Sequence, residues 1–272
     1  MHFLGGAREV GRSAIFIESK SIKILLDCGV KIGAKGDNFP LEPPEKPDVI
    51  IISHAHLDHV GYLPAIVKKY NCKVFATMPT QDLSEILNRD MLKLYKENDL
   101  PSPYTNQDIM HLRKVFVDAE YRVPYKLKDD VYITLYRSGH ILGSSMIKIQ
   151  IKGKSILYTG DFSIANTKTL EKADVNVGKV DVLIIESTYG HRSDRHPKRK
   201  KIERDFSSEI LKTINEGGKI IVPVFAVGRA QEVMLVLESR IRSGFLPRIP
   251  IFIDGMIREI NELYQRYWIY LS

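Results

Sequence analysis

The chain has 272 residues, 44% hydrophobic and 27% charged, with 40 Lys/Arg against 33 Asp/Glu and a formal net charge of +7. It is long enough to bury a sizeable core in one large domain or two ordinary ones, and its composition is that of a soluble globular protein. No apolar run approaches the roughly 20 residues of a membrane span. The start Met1-His2-Phe3-Leu4-Gly5-Gly6 is no secretory signal, and two cysteines make no disulfide framework, so a cytoplasmic protein without membrane attachment is expected.

In chain order, residues 14–18 and 22–27 read as a hairpin around Ser19-Lys20-Ser21. Residues 49–53 form a continuous apolar run that suits a strand covered on both faces. A short helix is expected over 63–70 and a strand over 73–77. Leu83, Ile86, Leu87, Met91, Leu94 and Tyr95, spaced by threes and fours, predict a helix with Thr80 as its N-cap. Strands follow at 131–136, 146–151 and 155–159, the last two joined by Lys152-Gly153-Lys154. Further strands are expected at 182–186 and 219–223, and helices at 200–215 and 229–243. The pattern is mixed α/β with much hairpin connectivity.

The charge is uneven: residues 191–272 hold 15 Lys/Arg against 10 Asp/Glu, and residues 1–190 hold 25 against 23. Excess positive charge steers polyanions at long range, although ordinary solubilising charge has the same signature. Lys198-Arg199-Lys200-Lys201 is open to the same two readings: phosphate contact, or the solvated start of a helix. Cys28 and Cys72 read as small buried residues, and Trp268 with its neighbouring tyrosines as core or interface.

His54-Ala55-His56-Leu57-Asp58-His59 places three of the chain's eight histidines and a carboxylate directly after an apolar strand. Imidazole nitrogens and carboxylate oxygens are what Zn²⁺ and similar divalent ions bind. His140 sits between two strands, and Asp27 and Asp161 each close one. In isolation such an aspartate is a turn residue. Together with the histidine cluster, these strand ends read as a metal site at one edge of a sheet.

The cluster, with later His140 and Asp161, resembles the signature of the metallo-β-lactamase superfamily. Glu186-Ser187-Thr188-Tyr189-Gly190 and the segment 223–232 resemble its β-CASP branch of nucleic-acid-processing nucleases. The opening Leu4-Gly5-Gly6-Ala7-Arg8-Glu9-Val10-Gly11-Arg12-Ser13 is similar to archaeal relatives of the cleavage and polyadenylation specificity factor endonuclease, in the form without KH domains. The resemblance implies an α/β fold: a four-layer αββα sandwich, incomplete, over residues 1–190, and the beginning of an inserted β-CASP α/β domain over 191–272. It also implies two Zn²⁺ ions, with His54, His56 and His140 on one, Asp58 and His59 on the other, and Asp161 bridging both. Ions ~3.5–4 Å apart can generate a hydroxide and stabilise charge in an in-line displacement at phosphorus.

Asp58, Glu186 and Asp27 form the implied catalytic set. Glu186 would orient a general-acid histidine, and Asp27 would stand behind a ligand histidine and fix its tautomer. Ser187, Thr188 and Arg229 are the candidate substrate contacts; Arg229 sits at a helix start where backbone amides suit a phosphate, and reads equally as a packing or salt-bridge arginine.

The expected function is zinc-dependent hydrolysis of RNA, in a homodimer or an RNA-processing complex. The family carries two further histidines, the proton donor and another ligand, whereas after His140 this chain has only His191 and His196, neither in those motifs. The expectation is therefore a chain without the returning half of the fold. A catalytically incomplete RNA-binding or partner subunit is the rival, and a small-molecule zinc hydrolase the third reading.

Overall fold

The computed structural model describes residues 1–33 and 38–272. They divide into two compact units, Met1–Ala165 with Lys172–Glu186, and Asn166–Glu171 with Ser187–Ser272. No helix among the described residues is long and apolar enough to cross a membrane.

In the first unit the order is β1 (His2–Gly5), β2 (Ala14–Glu18), β3 (Lys23–Leu26), β4 (Val49–Ile51), α1 (Leu57–Val60), α2 (Leu63–Tyr70), β5 (Lys73–Ala76), α3 (Met78–Glu97), α4 (Asn106–Val115) and β6 (Phe116–Asp118), then β7 (Pro124–Lys128), β8 (Val131–Arg137), β9 (Ser145–Ile151), β10 (Lys154–Tyr158) and β11 (Val182–Ile184). Two sheets result, one ordered β1-β2-β3-β4-β5-β6 and the other β11-β10-β9-β8-β7. In the first, β1 to β3 are antiparallel and β3 to β6 parallel. The second is antiparallel apart from the β10–β11 pair.

Strand periodicity decides which side chains go where. Ile15 and Ile17, Ile24 and Leu26, and Val49 and Ile51 meet Val131, Ile133, Leu135, Ile147, Ile149 and Tyr158 in a core between the sheets. The alternate residues Phe16, Leu25 and Ile50 face Leu63, Ile66 and Val67 of α2 and Leu112 of α4. Both faces of β2 to β4 are thus buried, which is why those strands read as unbroken apolar runs. On the outer face of the second sheet, Met146 and Leu157 pack with Phe162, Ala173, Val177 and Val180 of an irregular segment. The layers seen in this unit are helices, sheet, sheet and an irregular cover.

Two local details differ from the sequence reading, the α3 N-cap and α4, and two others give it geometry. The α3 N-cap is Thr77, whose side chain accepts from the Thr80 amide, so Thr80 lies inside the first turn with Pro79. Asp27 ends β3 by adopting φ 56°, a left-handed conformation that breaks the strand. α4 was not anticipated, although Thr105 and Asp108 form its capping box. The β9–β10 turn has Lys152 at φ 48° and Gly153 at φ 75°, the positive pair that a two-residue hairpin of matching twist requires.

The second unit holds α5 (Arg199–Asn215), α6 (Arg229–Arg242) and α7 (Ile257–Arg266). Ile210, Leu237 and Leu246 form its core. The Glu232 carboxylate accepts from the Lys168 and Thr169 amides and the Thr169 hydroxyl, which ties 166–171 to α6. Residues 219–223 are not a strand: none of the described residues of this unit pairs with them, and Ile221 is 91% exposed. An apolar run becomes a strand only when a neighbour takes its backbone hydrogen bonds. Trp268, 72% exposed, is not core. Within 198–201, Lys198 is the α5 N-cap, Arg199 pairs with Glu203 and Glu232, and Lys201 pairs with Asp205.

Candidate metal centre

The site lies where strands of both sheets end. Beyond β4 the backbone still bonds to β5, Ile52 N–H donating to the Phe75 carbonyl, and then leaves the sheet through Ser53 and His54 into α1. Asp58 and His59 ride on α1, which is too short to hold itself. Backbone bonds clamp it: Ser13 N–H to Asp58 O, Cys28 N–H to His59 O, and Val30 N–H to Leu57 O. A Cβ at Gly29 would lie 1.7 Å from the Asp58 carbonyl oxygen, so this close approach requires glycine.

His140 is carried by the β8–β9 loop. The Ser144 hydroxyl accepts from the His140 and Ile141 amides, and the buried Thr77 and Thr80 hydroxyls at the start of α3 donate to the Gly143 carbonyl. Asp161 follows β10 through Gly160 at φ 50°.

These elements bring together two groups of potential ligand atoms, His54, His56, His140 and Asp161 in one and His54, Asp58 and His59 in the other, the atoms within each group lying within 4.8 Å of one another. The His140 Nε2 to His56 Nδ1 distance is 3.0 Å. Asp161 faces both groups: Oδ1 lies 3.3 Å from His59 Nε2, and Oδ2 lies 3.5 Å from His140 Nε2 and 3.9 Å from His54 Nε2. Asp58 Oδ2 is 3.8 Å from His59 Nε2.

Behind the imidazoles lies a buried polar network. Asp27, fully buried, accepts from Ser53 N–H at Oδ1 (2.7 Å), and at Oδ2 from the Ser53 hydroxyl, His59 Nδ1 and the Tyr158 hydroxyl, each at 2.7 Å. Four donors satisfy the charge that burial would otherwise penalise. Ser53 Oγ also lies 3.0 Å from His54 Nδ1. Neither Ser53 nor Tyr158 was singled out from the sequence. The signal for Tyr158 was available: it shares a strand face with Ile156, and a phenol among inter-sheet residues needs a polar partner.

The electrostatics follow from burial and neighbours. Burial, reinforced by the three surrounding histidines, holds His54 well below the usual imidazole range. Burial opposes charge on His59 too, but the Asp27, Asp161 and Asp58 carboxylates outweigh it and raise that imidazole well above its ordinary value. Burial likewise opposes charge on Asp161, yet the His59 hydrogen bond and nearby imidazoles lower it to about 2.

The donor set suits a divalent ion. His54 Nε2 is buried and has no hydrogen-bond partner, facing instead the nitrogens and carboxylate of its group. A buried lone pair left without a donor is what a cation would satisfy.

The remaining candidates lie elsewhere. Glu186, half-buried, ends the first unit, its amide donating to the Thr159 hydroxyl. Ser187, Thr188 and Arg229 belong to the second unit and are exposed. Arg229 is the first residue of α6, whose N-cap Gly228 has φ 83° and donates its amide to the Gln231 side chain.

The sequence profile described as "Metallo-beta-lactamase superfamily domain" matches residues 16–196. The chain is 40% identical over 272 residues to the transcription termination factor FttA of Lokiarchaeum sp., an overlap covering 97% of this chain and 43% of that protein. It is also 40% identical over 267 residues to the RNase J-like protein of Methanocaldococcus jannaschii, covering 98% and 61% respectively. The chain thus spans about half the length of the curated relatives it matches. A solved structure of a protein of unknown function from Enterococcus faecalis has a TM-score of 0.52 and 17% identity, covering 79% of this chain and 56% of that one, a likeness of fold alone. With the family profile spanning most of its length, this chain belongs to the metallo-β-lactamase superfamily.

Proposed function

We propose that this chain carries the metal site of a zinc-dependent ribonuclease of the β-CASP branch. Residues 1–190 would be the metallo-β-lactamase portion and 191–272 the beginning of the inserted domain. The observation that carries the reading is the unpartnered His54 Nε2, buried among His56, His140 and Asp161. The names of the relatives, a transcription termination factor and an RNase J-like protein, favour RNA over a small molecule as substrate.

In this reading His54, His56 and His140 would hold one Zn²⁺ and Asp58 and His59 the other, with Asp161 facing both groups. The chemistry such a pair would supply when bound is activation of a water and charge neutralisation at a phosphodiester. The chain's own residues do the positioning. Asp27 holds a proton of His59 on Nδ1, so that Nε2, which faces Asp58 and Asp161, would be the nitrogen left for a metal on release of its own proton. Glu186 would orient a proton donor toward the leaving oxygen, and Ser187, Thr188 and Arg229 would contact the RNA.

The test is cleavage of end-labelled RNA together with zinc content. Two zinc ions per chain and cleavage are expected, with Asp58→Asn lowering the rate by about 100-fold or more while circular dichroism is unchanged. Full cleavage by Asp58→Asn, or by His59→Ala at stoichiometric protein, refutes the assignment. One observation favours a second reading. The group containing Asp58 and His59 shares His54 with the first group and so has two ligands of its own. A chain that holds one zinc, binds RNA and does not cut it would be a partner subunit.

A further inference from the structure

The Ser53 hydroxyl stands between the buried carboxylate of Asp27 and the imidazole of His54. We propose that Ser53 is a positioning residue through which Asp27 sets the tautomer of His54 as well as that of His59, so that one buried carboxylate aims a ligand nitrogen into each group. The proposal rests on the two-group metal reading given above.

The argument is one of donor and acceptor bookkeeping. An ionised carboxylate only accepts hydrogen bonds. The Ser53 hydroxyl, 2.7 Å from Asp27 Oδ2, must therefore send its single proton there. Toward His54 Nδ1, at 3.0 Å, it has only lone pairs left. His54 Nδ1 must then carry the ring proton, which leaves Nε2 as a lone pair, and Nε2 is the buried atom without a partner in the metal group. His59 is set by direct contact, its Nδ1 donating to the same Oδ2. Ser53 Oγ is 3.5 Å from His59 Nδ1, too long to compete with the 2.7 Å bond to Asp27.

The hydroxyl is held in place from every side. The Ser53 amide donates to Asp27 Oδ1, and the Ser53 carbonyl accepts from the Ser145 amide and hydroxyl. Gly160 closes over it, since a Cβ there would lie 2.6 Å from Ser53 Cβ and 2.7 Å from Oγ. The Tyr158 hydroxyl also donates to Asp27 Oδ2 but has no bond to either histidine. It therefore serves as an internal comparison, a perturbation of the same carboxylate outside the relay.

An isosteric change makes the proposal sharp. In Asp27→Asn the amide oxygen must face the Ser53 N–H, because the alternative sets donor against donor. The amide NH₂ then points at Ser53 Oγ, which turns its proton to His54 Nδ1 and moves the ring proton onto the ligand atom Nε2.

The experiment reads the ¹⁵N shifts of the His54 ring in the metal-free protein near pH 7.5, and the zinc affinity by chelator competition. Wild type and Tyr158→Phe should show the Nδ1–H tautomer. Ser53→Ala should lose that preference and bind zinc about 10- to 100-fold more weakly, the range for losing the partner of a ligand. Asp27→Asn should show the Nε2–H tautomer and fall at least as far. Backbone amide spectra matching wild type establish that each variant is folded. The proposal is overturned if Ser53→Ala keeps the Nδ1–H form with zinc affinity within twofold of wild type, or if Tyr158→Phe shifts His54 as much as Ser53→Ala does. Failure of wild type to take up zinc would sink the metal reading instead, and the ring shifts would still decide the relay.

Discussion

Gly160→Ala separates two costs that coincide beside the candidate metal centre. Gly160 sits at φ 50°, and a Cβ there would meet Ser53 Cβ at 2.6 Å. Left-handed backbone costs an alanine about 1–2 kcal/mol. Crowding an atom into a packed interior adds about 1–3 kcal/mol, and the obstacle here is a Cβ fixed to its backbone, not the far end of a flexible chain. Gly153 provides the control, with φ 75° and nothing within 4 Å of its Cβ position. Gly153→Ala should therefore lose about 1–2 kcal/mol and Gly160→Ala about 2–5 kcal/mol. Urea unfolding followed by circular dichroism measures both, with unchanged m-values showing that the folded and unfolded states are comparable. Zinc affinity should fall for Gly160→Ala alone, because its Cβ displaces the hydroxyl between Asp27 and His54. Equal destabilisation by the two substitutions, with equal zinc affinity, would refute the claim that this glycine is needed to make room for Ser53.

Thr105→Ala removes one half of the α4 capping box and should cost about 1 kcal/mol in thermal or urea unfolding. Burial of Glu232 favours its neutral form, but bonds from Thr169, Arg199 and Lys168 outweigh this and lower it below the ordinary 4.5. A carboxylate lowered on folding adds stability above its unfolded pKa, and that stability is lost as pH falls through the folded value. Glu232→Gln should therefore destabilise the second unit at pH 7 by about 1–3 kcal/mol and flatten its acid limb below about pH 4.5, read by hydrogen exchange of α6 amides. An acid limb as steep as wild type would count against this role. Burial raises the Cys28 thiol far above its ordinary value and Cys72 to about 11, so neither should react with a thiol reagent at pH 8 until urea unfolds the chain.

Much of the first unit was readable because its strands carry their partners' signature. The alternation of Ile15, Ile17, Ile24 and Leu26 against Phe16 and Leu25 records two buried faces. Burial of that kind is written in side-chain type. The histidine cluster was readable because few other roles gather such residues at a strand end. The second unit was less legible for a physical reason. Residues 219–223 have the composition of a strand, and composition does not supply a pairing partner. Of the two readings of Trp268, core or interface, its exposure removes the first. Ser53 and Tyr158 escaped notice because their importance depends on what stands opposite them, 26 residues from Asp27 in one case and 131 in the other.

The three carboxylates around the histidines differ in how much of their hydrogen-bonding capacity is already used, and that difference divides their work. Asp27 is fully buried and takes four donors at 2.7 Å, one at Oδ1 and three at Oδ2. Such an acceptor can orient an imidazole but is poorly placed to hold a cation. Asp161 and Asp58 are 27% and 33% exposed at the side chain and face the site. Asp161 Oδ2 looks toward His54 Nε2, which by the relay through Ser53 is a lone pair and not a proton. In the metal-free chain the positive charge facing Asp161 belongs to His59, which against burial its carboxylate neighbours raise well above the ordinary value and which lies 3.3 Å from Oδ1. On the proposed reading this is the reason Asp161→Asn should do more than remove a ligand. Despite burial, Asp161 is lowered to about 2 by His59 and the nearby imidazoles, so the variant should destabilise the metal-free protein against urea at pH 7 as well as weaken zinc uptake. Unchanged stability of the metal-free chain in Asp161→Asn would mean that the pairing of this carboxylate with His59 contributes nothing to the fold.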